Sequence, residues 1–253
     1  MAKPVKKQLI EVFSNPTAPF REGWVQKYIK SELELLKVAF YQDRWGNIVA
    51  GVTGPKKLKL ATGIALVAHT DHPGFQIKKK LGPTTFLAKW YGGHPPLMLN
   101  ASVAIYSPDL IEICQKAEIC KKPDKNGFLH IRVANKIAAD SVNEKSFGAF
   151  NYGAGKFKGD LVYTRTADDL TGVVIILSTL ARLKKSERKK IIGIFTTAEE
   201  VGFKGALGLL KDGALGPKLS AISLEASRQM PEALIGHGPV IRLGDRKTVF
   251  DNS

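Results

Sequence analysis

The chain has 253 residues, of which 44% are hydrophobic and 24% charged, and a formal net charge of +15. That length supports one large α/β domain or two smaller ones with a sizeable core, and the composition excludes low-complexity and fibrous classes. Two cysteines, Cys114 and Cys120, are too few for a disulfide scaffold and lack CxxC spacing, and the scattered lysine doublets read as a solvated surface without a nucleic-acid partner.

The N-terminus, "MAKPVKKQLIEVF", starts basic but lacks the apolar block and cleavage site of a secretory signal. The longest apolar stretch, "GVVIILSTLA", is too short to span a bilayer, so the expected location is cytoplasmic, with no membrane partner. From Phe20 to Leu36, the stripe Val25, Tyr28, Ile29, Leu33 and Leu36 predicts an amphipathic helix. "DRWGNIVA" (43–50) reads as a turn into a strand, and "LATGIALVAHTDH" (60–72) as an apolar run ending in His, Asp and His.

From about Phe75 to Lys158 the texture changes to short β-like pieces among Gly, Pro and Lys, with "DLIEICQKAEI" the one stretch of helical pattern. That predicts a β-rich insert over 76–158 within a discontinuous domain made of 1–75 and 159–253. The α/β texture returns at "GDLVYTRTADDLTG". Leu170, Val173, Val174, Leu177, Leu180, Ala181 and Leu183 keep helical spacing, finishing in Lys184, Lys185 and Arg188, which suit a helix C-terminus. "IIGIFTTAEEVGFKGA" is then a buried strand ending in two adjacent glutamates. A helix from about Val201 to Leu210 and a strand, "LSAISLEAS", follow.

Alternating strands and helices predict an α/β fold: a mostly parallel sheet flanked by helices, carrying the small β-rich inserted domain. Ligands of such sheets bind beyond the carboxyl ends of the strands. There lie His69 and Asp71, Glu199 and Glu200, and Glu225, while Asp168 and Asp169 precede a helix. Taken singly, each has a structural reading: a structural histidine, an N-cap pair, a helix first turn. Gathered in one crevice with only Arg165 nearby, the carboxylates repel one another and need a local cation. Histidine with carboxylates is a donor set for zinc, cobalt or manganese.

In order along the chain, "DRWGNIVA", "AHTDHPGF", "GDLVYTRTADDLTG", "TTAEEVGFKGA", "LEAS" and "GHGPVIRLGDR" resemble the glutamyl-aminopeptidase and tetrahedral (TET) aminopeptidase family of co-catalytic zinc metallopeptidases. The resemblance implies two divalent metal ions, zinc foremost. His69 would ligate the first, Asp168 would bridge both, Glu200 would ligate the second, and Glu225 would complete the first. Glu225 stands where the family often has aspartate. Glu199 would be the general base, taking a proton from the attacking water and passing it to the leaving amine, and Asp71 would orient His69. Segments 1–75 and 159–253 would form the catalytic domain and 76–158 a lid and oligomerisation insert, giving a homo-oligomeric aminopeptidase acting on peptide substrates.

The resemblance also implies a histidine ligand of the second metal beyond Ser253, so the chain is expected to be C-terminally incomplete. Its ending, "TVFDNS", reads as a helix start capped by Asp251 or Ser253. His237, in a glycine-flanked loop, is a poor substitute ligand, and His72, His94 and His130 are expected at the surface or lid. Two rival readings stand beside it: a co-catalytic zinc amidase or deacylase of N-acyl amino acids, in which the metal residues keep their roles, and an inactive truncated family member whose β insert binds partner subunits.

Overall fold

The computed structural model describes residues 3–94, 98–109, 113–244 and 249. The expected helix start at Asp251 or Ser253 lies outside them.

Two amphipathic helices open the chain, α1 (Val5–Phe13) and α2 (Gly23–Leu35). In α2, Val25, Ile29 and Leu33 repeat one turn apart and are all fully buried. The helix begins at Gly23 and not at Phe20 as expected, because Phe20 adopts a left-handed conformation, φ 66°. Residues 43–47 then turn β1 (Phe40–Gln42) back onto β2 (Ile48–Ala50). Asp43 builds this turn, its Oδ1 accepting the amides of Trp45 and Asn47, each at 2.9 Å. A short α3 (Pro55–Lys59), with proline in its first turn, leads into β3 (Gly63–His69).

Six strands follow: β4 (Gly74–Lys80), β5 (Thr85–Tyr91), β6 (Ser102–Tyr106), β7 (Ile113–Lys121), β8 (Phe128–Val133) and, after α4 (Lys136–Asp140), β9 (Phe147–Phe150). They close an antiparallel barrel in the order β4-β5-β8-β7-β6-β9. Alternate residues fill it, Phe86, Ala88 and Trp90 from β5 against Leu129, Ile131 and Val133 from β8. The helix expected in "DLIEICQKAEI" is instead strand β7, with residues 110–112 outside the described set. Pairing with β6 and β8 on both sides satisfies its backbone while Ile119 enters the barrel core, so tertiary pairing overrides the helical spacing.

The chain returns through a hairpin of β10 (Lys156–Lys158) and β11 (Leu161–Tyr163) to α5 (Ala167–Arg182) and α6 (Lys185–Arg188). Then come β12 (Ile191–Thr196), a 3₁₀ turn (Glu199–Val201), α7 (Lys204–Lys211) and β13 (Leu219–Ser223). The central sheet runs β1-β2-β12-β3-β13. One face packs on α1, α2 and α5 through Phe13, Ile29, Val173 and Leu177, and the other on α3 and α7 through Leu58 and Leu209.

Three expectations are corrected. The sheet is mixed and not mostly parallel: β3 pairs parallel with β12 and β13, but β2 pairs antiparallel with β1 and β12. The tight turn at 43–47 can only return its strand antiparallel, since parallel neighbours need a long crossover. Second, α5 stops at Arg182, and Arg188 serves its end from a separate turn by donating to Leu183 O at 3.0 Å. Third, α7 starts at Lys204, because Gly202 and Phe203 both take positive φ and break the backbone before it.

Candidate metal centre

β3, β12 and β13 run in one direction, so their carboxyl ends open along one edge of the sheet. His69, the last residue of β3, sits opposite Thr196 of β12. Thr70 fixes both strand ends by donating its amide (2.9 Å) and hydroxyl (2.8 Å) to Thr196 O.

The buried His69 ring has a defined orientation. Its Nδ1 lies 3.1 Å from the main-chain oxygen of Asp71, with the Asp71 carboxylate farther, at 3.6 Å. A carbonyl oxygen only accepts, so Nδ1 carries the proton and Nε2 of the neutral ring presents a lone pair. That nitrogen faces Asp168 Oδ1 at 3.1 Å, Glu225 Oε1 at 3.6 Å and Glu199 Oε2 at 4.0 Å. A lone pair aimed at carboxylates requires a proton or a cation between them. Burial opposes charging the ring, yet the hydrogen-bonded Asp168 and the nearby carboxylates of Asp71 and Glu225 outweigh it and raise the His69 pKa far above its usual range. A divalent ion would satisfy the same need, and the donor set fits one: His69, Asp168 and Glu225 bring ligand atoms that all lie within 4.8 Å of one another.

The two aspartates in the first turn of α5 face different partners. Their backbone is non-helical, and regular helix begins after them. Asp169 is the cap: its Oδ1 accepts the Gly172 amide at 3.2 Å and its Oδ2 the His69 amide at 3.3 Å. Burial pushes its carboxyl up to about 8, with His69 opposing and the Glu225 and Asp168 charges adding to the rise. Asp168 is left free to face His69. Burial favours its neutral form, but the hydrogen bond with His69 prevails and holds its pKa below the usual value.

Glu199 and Glu200 follow β12 through Ala198, which is left-handed at φ 52°, ψ 43°. Asp71 orders this turn: Oδ1 accepts the Glu199 amide at 2.9 Å and Oδ2 the Glu200 amide at 3.1 Å. Burial raises the pKa of Glu199, and raises Glu200 to about 7 with help from the Glu199 charge. Asn47 of "DRWGN" clamps the same segment, accepting the Thr197 amide at 3.1 Å and donating to Gly205 O at 2.9 Å. Glu225 lies just beyond β13, after Leu224 bonds Val67 O at 2.8 Å. Burial raises its pKa against the effect of His69, and the neighbouring Asp168 carboxylate adds to the rise.

Of the residues singled out in the sequence, His69, Asp168 and Glu225 form a group that could hold a metal ion, Glu199 borders it, and Asp71 holds the backbone behind Glu199 and Glu200. His237 stands apart on an exposed loop, its amide bonded to Leu234 O. His72 is not the surface or lid residue expected: its Nδ1 donates to Asp168 O at 3.2 Å, and burial lowers its pKa to about 4. "HTDH" signalled it only as a second histidine. Gly92 and Glu22 went unnoticed. Gly92, at φ +84° beyond β5, brings the barrel against Glu200, and a Cβ there would stand 3.0 Å from Glu200 Oε2. Glu22 accepts the Ala198 amide across 176 residues of sequence, a pairing with no local signal. An apolar groove of about 410 Å³ beside α1 and α5, lined by Val5, Leu9 and Ile175 among others, shares no residue with this centre. No described helix is long and apolar enough to cross a membrane.

The chain is 22% identical over 240 residues to a provisionally named aminopeptidase of Acetivibrio thermocellus, covering 90% of this chain and 68% of that protein. Its fold matches the TET1 peptidase of Pyrococcus horikoshii with a TM-score of 0.77 at 23% identity, over 98% of this chain and 78% of that one. It also matches an aminopeptidase from Desulfurococcus kamchatkensis with a TM-score of 0.71 at 19% identity, over 95% and 68% of the two chains. The model of the M42 glutamyl aminopeptidase family matches residues 46–253, from the turn of "DRWGN" past Glu225. The chain therefore belongs to the M42 glutamyl aminopeptidase family and is a peptidase.

Proposed function

We propose that this peptidase is a metal-dependent aminopeptidase that removes N-terminal residues from peptides at the centre around His69. One observation carries the reading: His69 Nε2, its tautomer set by Asp71 O, faces Asp168 and Glu225 in a group spanning no more than 4.8 Å. His69, Asp168 and Glu225 would hold one ion, and Asp168 with Glu200 would contribute to a second. Divalent ions held there, zinc foremost, would polarise the scissile carbonyl and lower the pKa of the attacking water.

The chain's own residues supply the rest. Glu199 Oε2, 4.0 Å from His69 Nε2, is the group placed to take the proton from water and return it to the leaving amine. Its burial-raised pKa suits a base that must also act as an acid. Asp71 keeps His69 and Glu199 in one rigid unit through its carbonyl and carboxylate. Negative side chains around the centre would also attract the free α-ammonium of a peptide, favouring exopeptidase action.

Self-association is proposed on the fold likeness: the Pyrococcus peptidase is described as assembling into a tetrahedron or a large octahedral shell. Segment 76–158 is the proposed lid and assembly insert, and the approach of Gly92 to Glu200 supports its screening role. Hydrolysis of amino-acid anilides tests the central reading. Turnover that is lost in chelator, restored by zinc and absent on N-acyl amino acids is expected. Preference for the N-acyl substrates would make the protein an amidase or deacylase.

A further inference from the structure

We propose that Glu22 is a positioning residue for Glu199 and Glu200: with Asp71, it pins the backbone from Ala198 to Glu200 so that both glutamates face the His69 centre. This rests on the aminopeptidase reading above. Three consecutive amides are held by two buried carboxyl groups, those of Glu199 and Glu200 by Asp71, and that of Ala198 by Glu22 Oε1 at 3.0 Å. The same oxygen of Glu22 accepts the Phe20 amide at 3.1 Å. Phe20 and Ala198 are both non-glycine residues with positive φ, so one oxygen secures two unfavourable backbone conformations.

A purely structural account of Glu22 is weak. It stands at the N-cap of α2 but makes no capping hydrogen bond to that helix. It is only 5% exposed, so its carboxyl group depends on the two accepted amides to offset the cost of burial. Those bonds link distant parts. Phe20 packs edge-on against Tyr91 of β5, with ring centroids 5.6 Å apart, and the next residue, Gly92, lies so near Glu200 that an added Cβ would stand 3.0 Å from its Oε2. Glu22 therefore joins the barrel rim, the start of α2 and the segment bearing both glutamates.

Two conservative variants separate reach from charge. Glu22→Gln keeps an oxygen able to accept both amides but abolishes the charge. Glu22→Asp keeps the charge but withdraws the oxygen by one methylene. Amide hydrogen exchange at 198–200, zinc titration and steady-state kinetics are measured on both and on the parent. The expected result is parental protection and kcat in Glu22→Gln. In Glu22→Asp, protection at 198–200 is lost and kcat falls about 10–100-fold with KM little changed. Parental behaviour of Glu22→Asp, or loss in Glu22→Gln matching that in Glu22→Asp, overturns the proposal. A parent that neither binds zinc nor turns over peptide refutes the aminopeptidase reading, while the exchange comparison still decides the role of Glu22.

Discussion

Asp71 reaches from the end of β3 to the backbone of Glu199, its Oδ1 2.9 Å from the amide nitrogen, while its other oxygen takes the Glu200 amide. The side chain is fully buried, so water cannot replace it. Asp71→Ala leaves both amides without an acceptor, at about 1–3 kcal/mol each. Asp71→Asn, with one acceptor oxygen remaining, is expected to lose roughly half of that. Urea unfolding of the three proteins checks this ordering, and equal stability across the series would show that the bonds contribute nothing.

Glu199 borders the ligand group without belonging to it. Glu199→Gln is expected to lower kcat by about 10²–10⁴, the range for a lost general base. Zinc affinity at His69, Asp168 and Glu225 should stay within a few-fold of the parent value. Calorimetric titration beside anilide kinetics separates the two effects. A variant that turns over normally removes Glu199 from the proton path.

Glu22 sets a pH dependence of stability. Burial and the Asp71 charge raise its folded pKa from 4.5 to about 7. Between those values the folded state holds a proton that the unfolded state has released, so stability falls as pH rises through this window and levels off above it. The full effect is on the order of 3 kcal/mol. Glu22→Gln carries no charge at any pH and is expected to make the slope shallower by the share of Glu22, leaving the part that Asp169 and Glu200 contribute. Thermal unfolding of parent and variant in chelator, from pH 4.5 to 8, reads it directly: parallel curves would contradict the shifted pKa.

Gly92 admits no side chain. Its φ of +84° disfavours any other residue, and an added Cβ would press on Glu200 and on Pro73 Cα at 3.2 Å. Gly92→Val is expected to cost about 1–3 kcal/mol of stability and to displace the Glu200 carboxylate. The consequence is weaker binding of a second zinc with the first unchanged, measurable in a two-site titration. Equal weakening of both ions would indicate general damage.

What was legible in the sequence had a local cause. "AHTDH", "TAEE" and "LEAS" stand out because apolar runs stop there abruptly, and the parallel trio β3, β12 and β13 carries these three ends to one edge, whereas "ADD" stands out only as an acidic pair before a helical pattern. The antiparallel half of the sheet was hidden, since a strand's direction depends on its partner: "IVA" reads alike in either sense. β7 was mistaken for a helix because barrel closure, a relation among six strands, outweighs the spacing within one. Which of the two aspartates in the first turn of α5 caps and which faces His69 is not readable from the residues "DD" alone, since only the kinked backbone decides it.

The most direct test is diffraction from crystals of the zinc-loaded protein at the zinc absorption edge. An anomalous peak bounded by His69 Nε2, Asp168 and Glu225, with Glu199 beside it and not bound to it, is the predicted result. An empty position between those three side chains in zinc-saturated protein would contradict the metal-dependent mechanism at its root.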